Sequence, residues 1–144
     1  MTLFTKVYDS SQVKFVDKYL KTTLKDLNVK TEITGVTSRG LIQVAISGED
    51  EKVALQYLAD EIGVCPTYFE RIEKFSTIKG RITALNKSKD NIYTDIGVFS
   101  PTIAFATLPL RHLQAQLADG RKVALEKLAE LFGFCENMPL TVKI

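Results

Sequence analysis

The chain has 144 residues, of which 45% are hydrophobic and 25% are charged, and this composition is that of a folded globular protein rather than a disordered segment. No apolar run reaches the ~18 residues that a membrane span requires, and the N-terminal sequence lacks the basic-then-apolar order of a signal peptide. We therefore expect a packed core, no association with membranes and a cytoplasmic location.

The formal net charge is +2, but it is distributed unevenly along the chain. Residues 1–75 carry 10 basic and 11 acidic side chains, whereas residues 76–144 carry 9 and 6, so the two halves have charges of −1 and +3. The surplus in the second half is a weak indication of a polyanionic partner.

The first predicted elements are a strand and a helix. Alternating apolar and polar residues predict the strand over residues 3–8, and Ser10 or Ser11 offers the N-cap of the helix that follows. The helix is expected to end at Asn28, and its apolar face is formed by Val13, Val16, Leu20, Leu24 and Leu27.

A hairpin and a second helix follow. β-Branched residues at alternate positions predict strands over residues 29–36 and 41–47. The acids at 49–51 favour a helix N-terminus there, and the apolar residues at 65–74 predict a fourth strand. The resulting order, β-α-β-β-α-β, is that of a ferredoxin-like α+β domain, which we assign to residues 1–75.

The second half reads as a smaller β domain, residues 76–144. Strands are predicted over residues 77–85, 92–98 and 102–108, two helical patterns follow over 110–132, and a last strand covers 140–144. This is the order of a small S1-like or OB-like barrel with a helical insertion, but that fold uses five strands and only four are found. Either the fifth strand lies elsewhere in the sequence, or the barrel is shortened, or its open edge pairs with another copy.

Several segments resemble an uncharacterised family of archaeal proteins, domain of unknown function 2110. The resemblance spans nearly the whole chain and names no activity; family members run longer than this chain. It is carried by the runs Ile46-Ser47-Gly48-Glu49-Asp50-Glu51-Lys52-Val53-Ala54, Thr94-Asp95-Ile96-Gly97-Val98-Phe99-Ser100-Pro101, Gln116-Leu117-Ala118-Asp119-Gly120-Arg121-Lys122 and Pro139-Leu140-Thr141-Val142, and by the shorter Lys79-Gly80-Arg81-Ile82 and Leu108-Pro109-Leu110.

A shorter stretch is similar to the start of an S1 RNA-binding domain, in which a glycine of the first strand and an aromatic residue of the second frame the RNA face. It covers about a fifth of the chain, and it consists of Lys79-Gly80-Arg81-Ile82 followed by Tyr93-Thr94-Asp95-Ile96-Gly97. This resemblance implies a surface for RNA on the first two strands of the second half.

Strand alternation gives that surface its chemistry. Lys79 and Arg81 point outward from the first strand and Tyr93 from the second, so cations for phosphates lie beside a ring that can stack on a base. The plainer interpretation is a solvated strand whose tyrosine closes the barrel. The remaining basic residues could extend the same track, namely Lys87, Lys89, Arg111, Arg121 and Lys122.

No catalytic, metal or cofactor site is expected. His112 is the only histidine, which excludes a site with several histidine ligands; a pair with Cys135 or a distant acid stays open, but a lone histidine near a helix start is more often structural, and no glycine pattern marks a nucleotide cofactor. The acids at 49–51 could hold a cation but more simply stabilise a helix, and Asp95 is expected to bond to a neighbouring turn.

Both cysteines are isolated in the sequence. Cys65 and Cys135 belong to no CxxC motif, so we expect two small buried apolar residues, with a disulfide between them left open. The leading hypothesis is thus a non-catalytic module that binds single-stranded RNA. The alternative is a structural or regulatory interaction protein that forms a homodimer.

Overall fold

The computed structural model describes residues 1–144, and the chain divides into two compact units, Met1–Cys65 (unit 1) and Pro66–Ile144 (unit 2). Each unit contains one antiparallel sheet and two α-helices, so the predicted α+β class is confirmed. None of these helices has the length and apolar character needed to cross a membrane. Residues 66–75, which the sequence-based division assigns to the first half, fall in unit 2.

Unit 1 has the order β-α-β-β-α, as predicted for its first five elements. Its sheet has the strand order β1-β3-β2, and both helices share one core with it, centred on the fully buried Leu3, Leu20, Ile42 and Leu58. The elements are β1 (Thr2–Lys6), α1 (Ser10–Thr23), β2 (Val29–Val36), β3 (Leu41–Gly48) and α2 (Glu51–Glu61).

The predicted fourth strand over residues 65–74 is wrong. The outer edge of β1 meets only a single bridge, in which the Phe4 amide donates to the Gly63 carbonyl at 2.9 Å and the Cys65 amide donates to the Thr2 carbonyl at 2.9 Å. The next residue is Pro66, which has no N–H to continue the ladder. The chain then leaves the sheet and forms one 3₁₀ turn, Phe69–Arg71.

The cap of α1 also differs from the prediction. Asp9, not Ser10 or Ser11, is the N-cap residue, and its carboxylate accepts from the amides of Ser11 at 2.8 Å and Gln12 at 3.0 Å. The hydrogen bond from the Ser11 hydroxyl, together with the Gln12 amide, lowers the pKa of Asp9 below its ordinary value. The carboxylate therefore stabilises the helix in its charged form.

The acids at the start of α2 tie two connections together. The Asn28 amide donates to the Asp50 carboxylate at 2.7 Å, and the Asn28 side chain donates to Glu49 at 3.0 Å. Gly48 makes this approach possible: its φ is +142°, and a Cβ there would collide with the Asn28 backbone. These two carboxylates therefore hold the connection at Asn28, and Asp50, the N-cap residue of α2, makes no side-chain hydrogen bond to the helix, which differs from the predicted capping role.

Unit 2 contains a four-stranded sheet in the order β6-β5-β4-β7. A fourth strand that returns beside the first strand of a three-stranded meander is a Greek key, and here it leaves β6 and β7 as the edges. Every element predicted in this half is present, and no fifth strand is found. The elements are β4 (Thr77–Ile82), β5 (Asn91–Val98), β6 (Ala104–Pro109), α3 (Leu110–Leu117), α4 (Leu125–Phe132) and β7 (Pro139–Lys143).

Both helices of unit 2 cover the inner face of this sheet. Leu113 of α3 and Leu128 of α4 are buried against Ile82 of β4 and Ile92 of β5. The inner face is closely packed where β4 lies beside β5: a Cβ at position 80 would collide with the methyl group of Thr94. A glycine at position 80 is therefore a packing requirement of the sheet.

Candidate nucleic-acid interface

The outward face of the second sheet is the surface opposite the helices. Successive side chains of a strand point to opposite faces, and directly opposite residues of paired strands share a face. Since the isoleucines of β4 and β5 point inward, the intervening residues point outward. We call this surface the outward face; its principal side chains are Lys79, Arg81, Tyr93, Asp95, Phe105, Thr107 and Lys143.

Strand register places the predicted cluster of Lys79, Arg81 and Tyr93 together on this face. Arg81 lies directly opposite Asp95 on β5, and Asp95 lies opposite Phe105 on β6. Tyr93 lies opposite Thr107, which puts it diagonal to Phe105, within reach of a second aromatic ring. The centre of the outward face therefore holds two aromatic side chains on neighbouring strands with basic residues beside them.

The side chain of Arg81 is more constrained than the sequence indicates. Its side chain is half-buried, and its guanidinium donates to the Asn137 carbonyl at 3.0 Å, which ties β4 to the connection before β7. Asp95, opposite it, accepts from the Gly97 amide at 2.9 Å, so this bond lies within β5, at the register irregularity between Asp95 and Val98, and not in a neighbouring turn as predicted. Reversing the charge of Arg81 would thus disturb the fold as well as the surface.

Lys87 and Lys89 lie at one end of the sheet, in the connection from β4 to β5. The connection leaves from the Tyr93 end, since the Thr83 amide donates to the Tyr93 carbonyl at 2.9 Å just before it. Both lysines are exposed. Lys89 also lines a cavity of about 640 Å³, whose lining includes the acidic residues Asp90 and Glu126.

Three predicted basic residues lie elsewhere. Arg111 belongs to α3, and Arg121 and Lys122 lie in the connection to α4. Because these helices cover the inner face of the sheet, the three side chains belong to the helical layer and not to the outward face. The eight predicted binding residues therefore form three separate groups, of which only Lys79, Arg81 and Tyr93 share the face with the second ring.

Sequence reasoning missed two residues of the outward face, Phe105 and Lys143. Phe105 is 46% exposed and alternates with Ala104 and Ala106, which are partly buried. Lys143 lies opposite Thr77 at the edge of the sheet. In both cases the alternation of small or apolar residues with longer ones was the available signal.

The other candidate chemical groups do not form a site. His112 is exposed on α3, and no group of three or more His, Cys, Asp or Glu side chains is arranged to hold a metal ion. Neither cysteine forms a disulfide: Cys65 is buried against Phe4 and Leu41, as expected, but Cys135 is exposed, so the prediction that both are buried is wrong for Cys135. Cys135 follows α4 closely, where the apolar periodicity has ended.

The fold and this surface together define an α+β protein of two antiparallel sheets, one of which presents an aromatic and basic face. Residues 1–67 match the family model of the DUF2110 N-terminal domain, so the resemblance to this uncharacterised family is supported over unit 1. No curated protein and no solved structure matches the chain.

Proposed function

We propose that the chain is a non-catalytic module that binds single-stranded nucleic acid, RNA in the first place, on the outward face of unit 2. The observation that carries the proposal is the diagonal placement of Tyr93 and Phe105 on neighbouring strands, with Arg81 diagonal to Tyr93 and Lys79 two residues further along β4 on the same face. Phe105 is exposed and Tyr93 is half-buried. Bases stack on the accessible part of such rings regardless of their identity, and cations follow the phosphates. A flat sheet face with two rings is also the arrangement that other single-strand binders use.

The topology of unit 2 supports the same proposal. Its Greek key of four strands, with helices between the third and the fourth, has the connectivity of an OB-like or S1-like barrel that lacks one strand. OB folds bind oligonucleotides on the face of their second and third strands. These strands correspond here to β5 and β6, which carry Tyr93 and Phe105.

The charge of the face sets the expected salt dependence. Three cations lie on it, Lys79, Arg81 and Lys143, against the single carboxylate of Asp95. The guanidinium of Arg81 already donates to the Asn137 carbonyl, so the two lysines are the cations counted for phosphate contacts. For a single strand, each neutralised phosphate contributes about −0.7 to the slope of log K against log salt, so two contacts give a slope of about −1.4. Raising the salt fourfold should then weaken binding about 7-fold.

The test is a titration of fluorescently labelled single-stranded RNA with the full chain, followed by anisotropy at several salt concentrations. Lys143→Gln, which removes one cation at an edge strand, should reduce the magnitude of the slope by about 0.7. Lys127→Gln is the matched control, since Lys127 is an exposed lysine of the helical layer that pairs with Glu130 at 3.0 Å. Saturable binding without salt dependence, or equal effects of both substitutions, would contradict the proposed face.

The second candidate function is a structural or regulatory interaction protein that forms a homodimer through a sheet edge. It is favoured by the two unpaired edges of the second sheet, β6 and β7, which expose backbone donors and acceptors that could pair with another strand. Amide hydrogen exchange distinguishes the two functions. A dimer of this kind protects the edge amides of β6 or β7 at high protein concentration, whereas RNA binding alone does not require that change.

A further inference from the structure

The outer surface of the two helices of unit 1 carries an apolar patch that the fold does not use. Val16 and Leu20 of α1 and Ala54 and Leu58 of α2 point into the core. The sides of the helices next to this core face expose four large apolar side chains, which we call the helical patch: Phe15, Tyr19, Val53 and Tyr57.

The four side chains form one continuous surface. Phe15 and Tyr19 are four residues apart on α1, and Val53 and Tyr57 are four residues apart on α2, so each pair occupies adjacent turns of one helix face. Tyr19 of α1 is close enough to Tyr57 of α2 to contribute to the rise in the pKa of Tyr57, so these two rings link the pairs on the two helices. Single exposed apolar residues are ordinary, but a patch across two elements with Phe15 at 71% exposure indicates a contact surface.

The charges around the patch indicate which partner fits. Helix α1 carries Lys14, Lys18 and Lys21 against Asp17, which gives +2, whereas α2 carries Lys52 against Glu51, Asp60 and Glu61, which gives −2. The surface is thus basic along one helix and acidic along the other. A second copy of the same surface, turned by a two-fold rotation, places the basic helix of each copy opposite the acidic helix of the other.

Other partners fit this surface less well. A nucleic acid or an anionic membrane would meet the three acids of α2, and a dominantly basic or acidic protein would be repelled by one of the two helices. Burial, followed by the nearby Glu61 and Tyr19, raises the pKa of Tyr57 above 10.0, so its hydroxyl is uncharged near neutral pH. The ring can therefore enter an apolar contact without the cost of burying a charge.

We propose that the helical patch is a self-association surface on which two copies of the chain pack around a two-fold axis, with α1 of each copy against α2 of the other. Phe15, as the most exposed ring of the patch, is the central apolar contact. This inference concerns unit 1 alone and does not depend on nucleic-acid binding by unit 2.

The first test measures the mass of the full chain by sedimentation over a range of protein concentrations. The wild-type chain should show a reversible monomer–dimer equilibrium, and Phe15→Glu should raise the dissociation constant at least about 30-fold, as loss of a central contact does. Phe75→Glu is the matched control, because Phe75 lies in unit 2 and is 68% exposed. Circular dichroism checks that each variant remains folded.

The second test uses the charges to identify the helices that meet. Lys14→Glu with Lys18→Glu changes α1 from +2 to −2, and Asp60→Lys with Glu61→Lys changes α2 from −2 to +2. Each double variant alone then has two helices of like charge and should stay monomeric. A mixture of the two should form a heterodimer, because each α1 again meets an α2 of opposite charge.

Three outcomes would overturn the proposal. The first is a wild-type chain that stays monomeric at hundreds of micromolar. The second is a dimer that Phe15→Glu and Phe75→Glu weaken equally or not at all. The third is failure of the two folded charge variants to associate when mixed, while the wild type does dimerise; this result would place the dimer contact on another surface.

Discussion

Replacing Phe105 with alanine is the sharpest test of the proposed RNA face. Base–aromatic stacking is worth about 1 to 3 kcal/mol per base by alanine substitution, which corresponds to a loss of affinity of about 5- to 150-fold. Phe105 is 46% exposed, so roughly half of the ring is available to a base. The expected loss therefore lies toward the lower part of this range, about tenfold.

The cost of this substitution to the fold is expected to be small. The buried half of a phenylalanine side chain contributes roughly 1 kcal/mol, and Phe105 lies on an edge strand, so the variant should remain folded. Because no charge is removed, the salt dependence of RNA binding should not change. The assay is the anisotropy titration at two salt concentrations, combined with a thermal melt of each protein.

Phe132→Ala is the matched control for Phe105→Ala. Phe132 is 45% exposed and lies on α4, in the helical layer, where it stacks on Phe134 at a ring distance of 6.3 Å. It should lose stability without losing affinity for RNA. Equal affinities of Phe105→Ala and the wild type would refute the stacking argument, as would a larger loss for Phe132→Ala.

Three further predictions concern the fold. Gly48→Ala should lower the free energy of unfolding by at least about 2 kcal/mol in a urea titration, more than Gly133→Ala, whose added Cβ meets open space. Thr94→Val should raise the free energy of unfolding by about 1 kcal/mol, because the buried hydroxyl has no hydrogen-bond partner; a decrease would mean that it has one. Asp9→Ala should destabilise the chain at pH 7, and the difference from the wild type should shrink as pH falls below 3.8. A carboxyl whose pKa is lowered by folding stabilises fully above its unfolded pKa and loses this contribution as pH falls through its folded pKa, so an unchanged difference at pH 2 would contradict the cap.

Periodicity was sufficient to predict most elements of the fold. The strands over residues 29–36 and 91–98 and the helix that contains Val16 and Leu20 have clear alternation or a clear helical face, and the structure has them at nearly the predicted positions. The prediction of the fourth strand was wrong for a local reason. Tyr68, Phe69 and Ile72 suggest a strand by composition, but a single proline at the start of the segment cannot donate the hydrogen bond that would continue the ladder. The prediction followed the apolar composition of ten residues and did not account for the missing backbone N–H of one proline.

The candidate site was only partly predictable, for a different reason. Alternation within one strand places Lys79, Arg81 and Tyr93 outward, and this needs no knowledge of strand pairing. Finding Phe105 beside Tyr93 requires the register between β5 and β6, which a local pattern does not contain. Likewise, Arg121 and Lys122 look like part of one basic track until the packing of Leu113 and Leu128 assigns the helices before and after them to the inner face.

The pairing of β4 with β7 has a consequence for biosynthesis. Thr77 pairs with Lys143, so the second sheet closes a long loop of chain, and its last strand can join only after all intervening residues have been made. Every strand pair of unit 1 lies within residues 1–65, so this unit can complete its sheet much earlier during translation. A nascent chain should therefore pass through a stage in which unit 1 is folded while the edge of β4 that pairs with β7 is still unpaired.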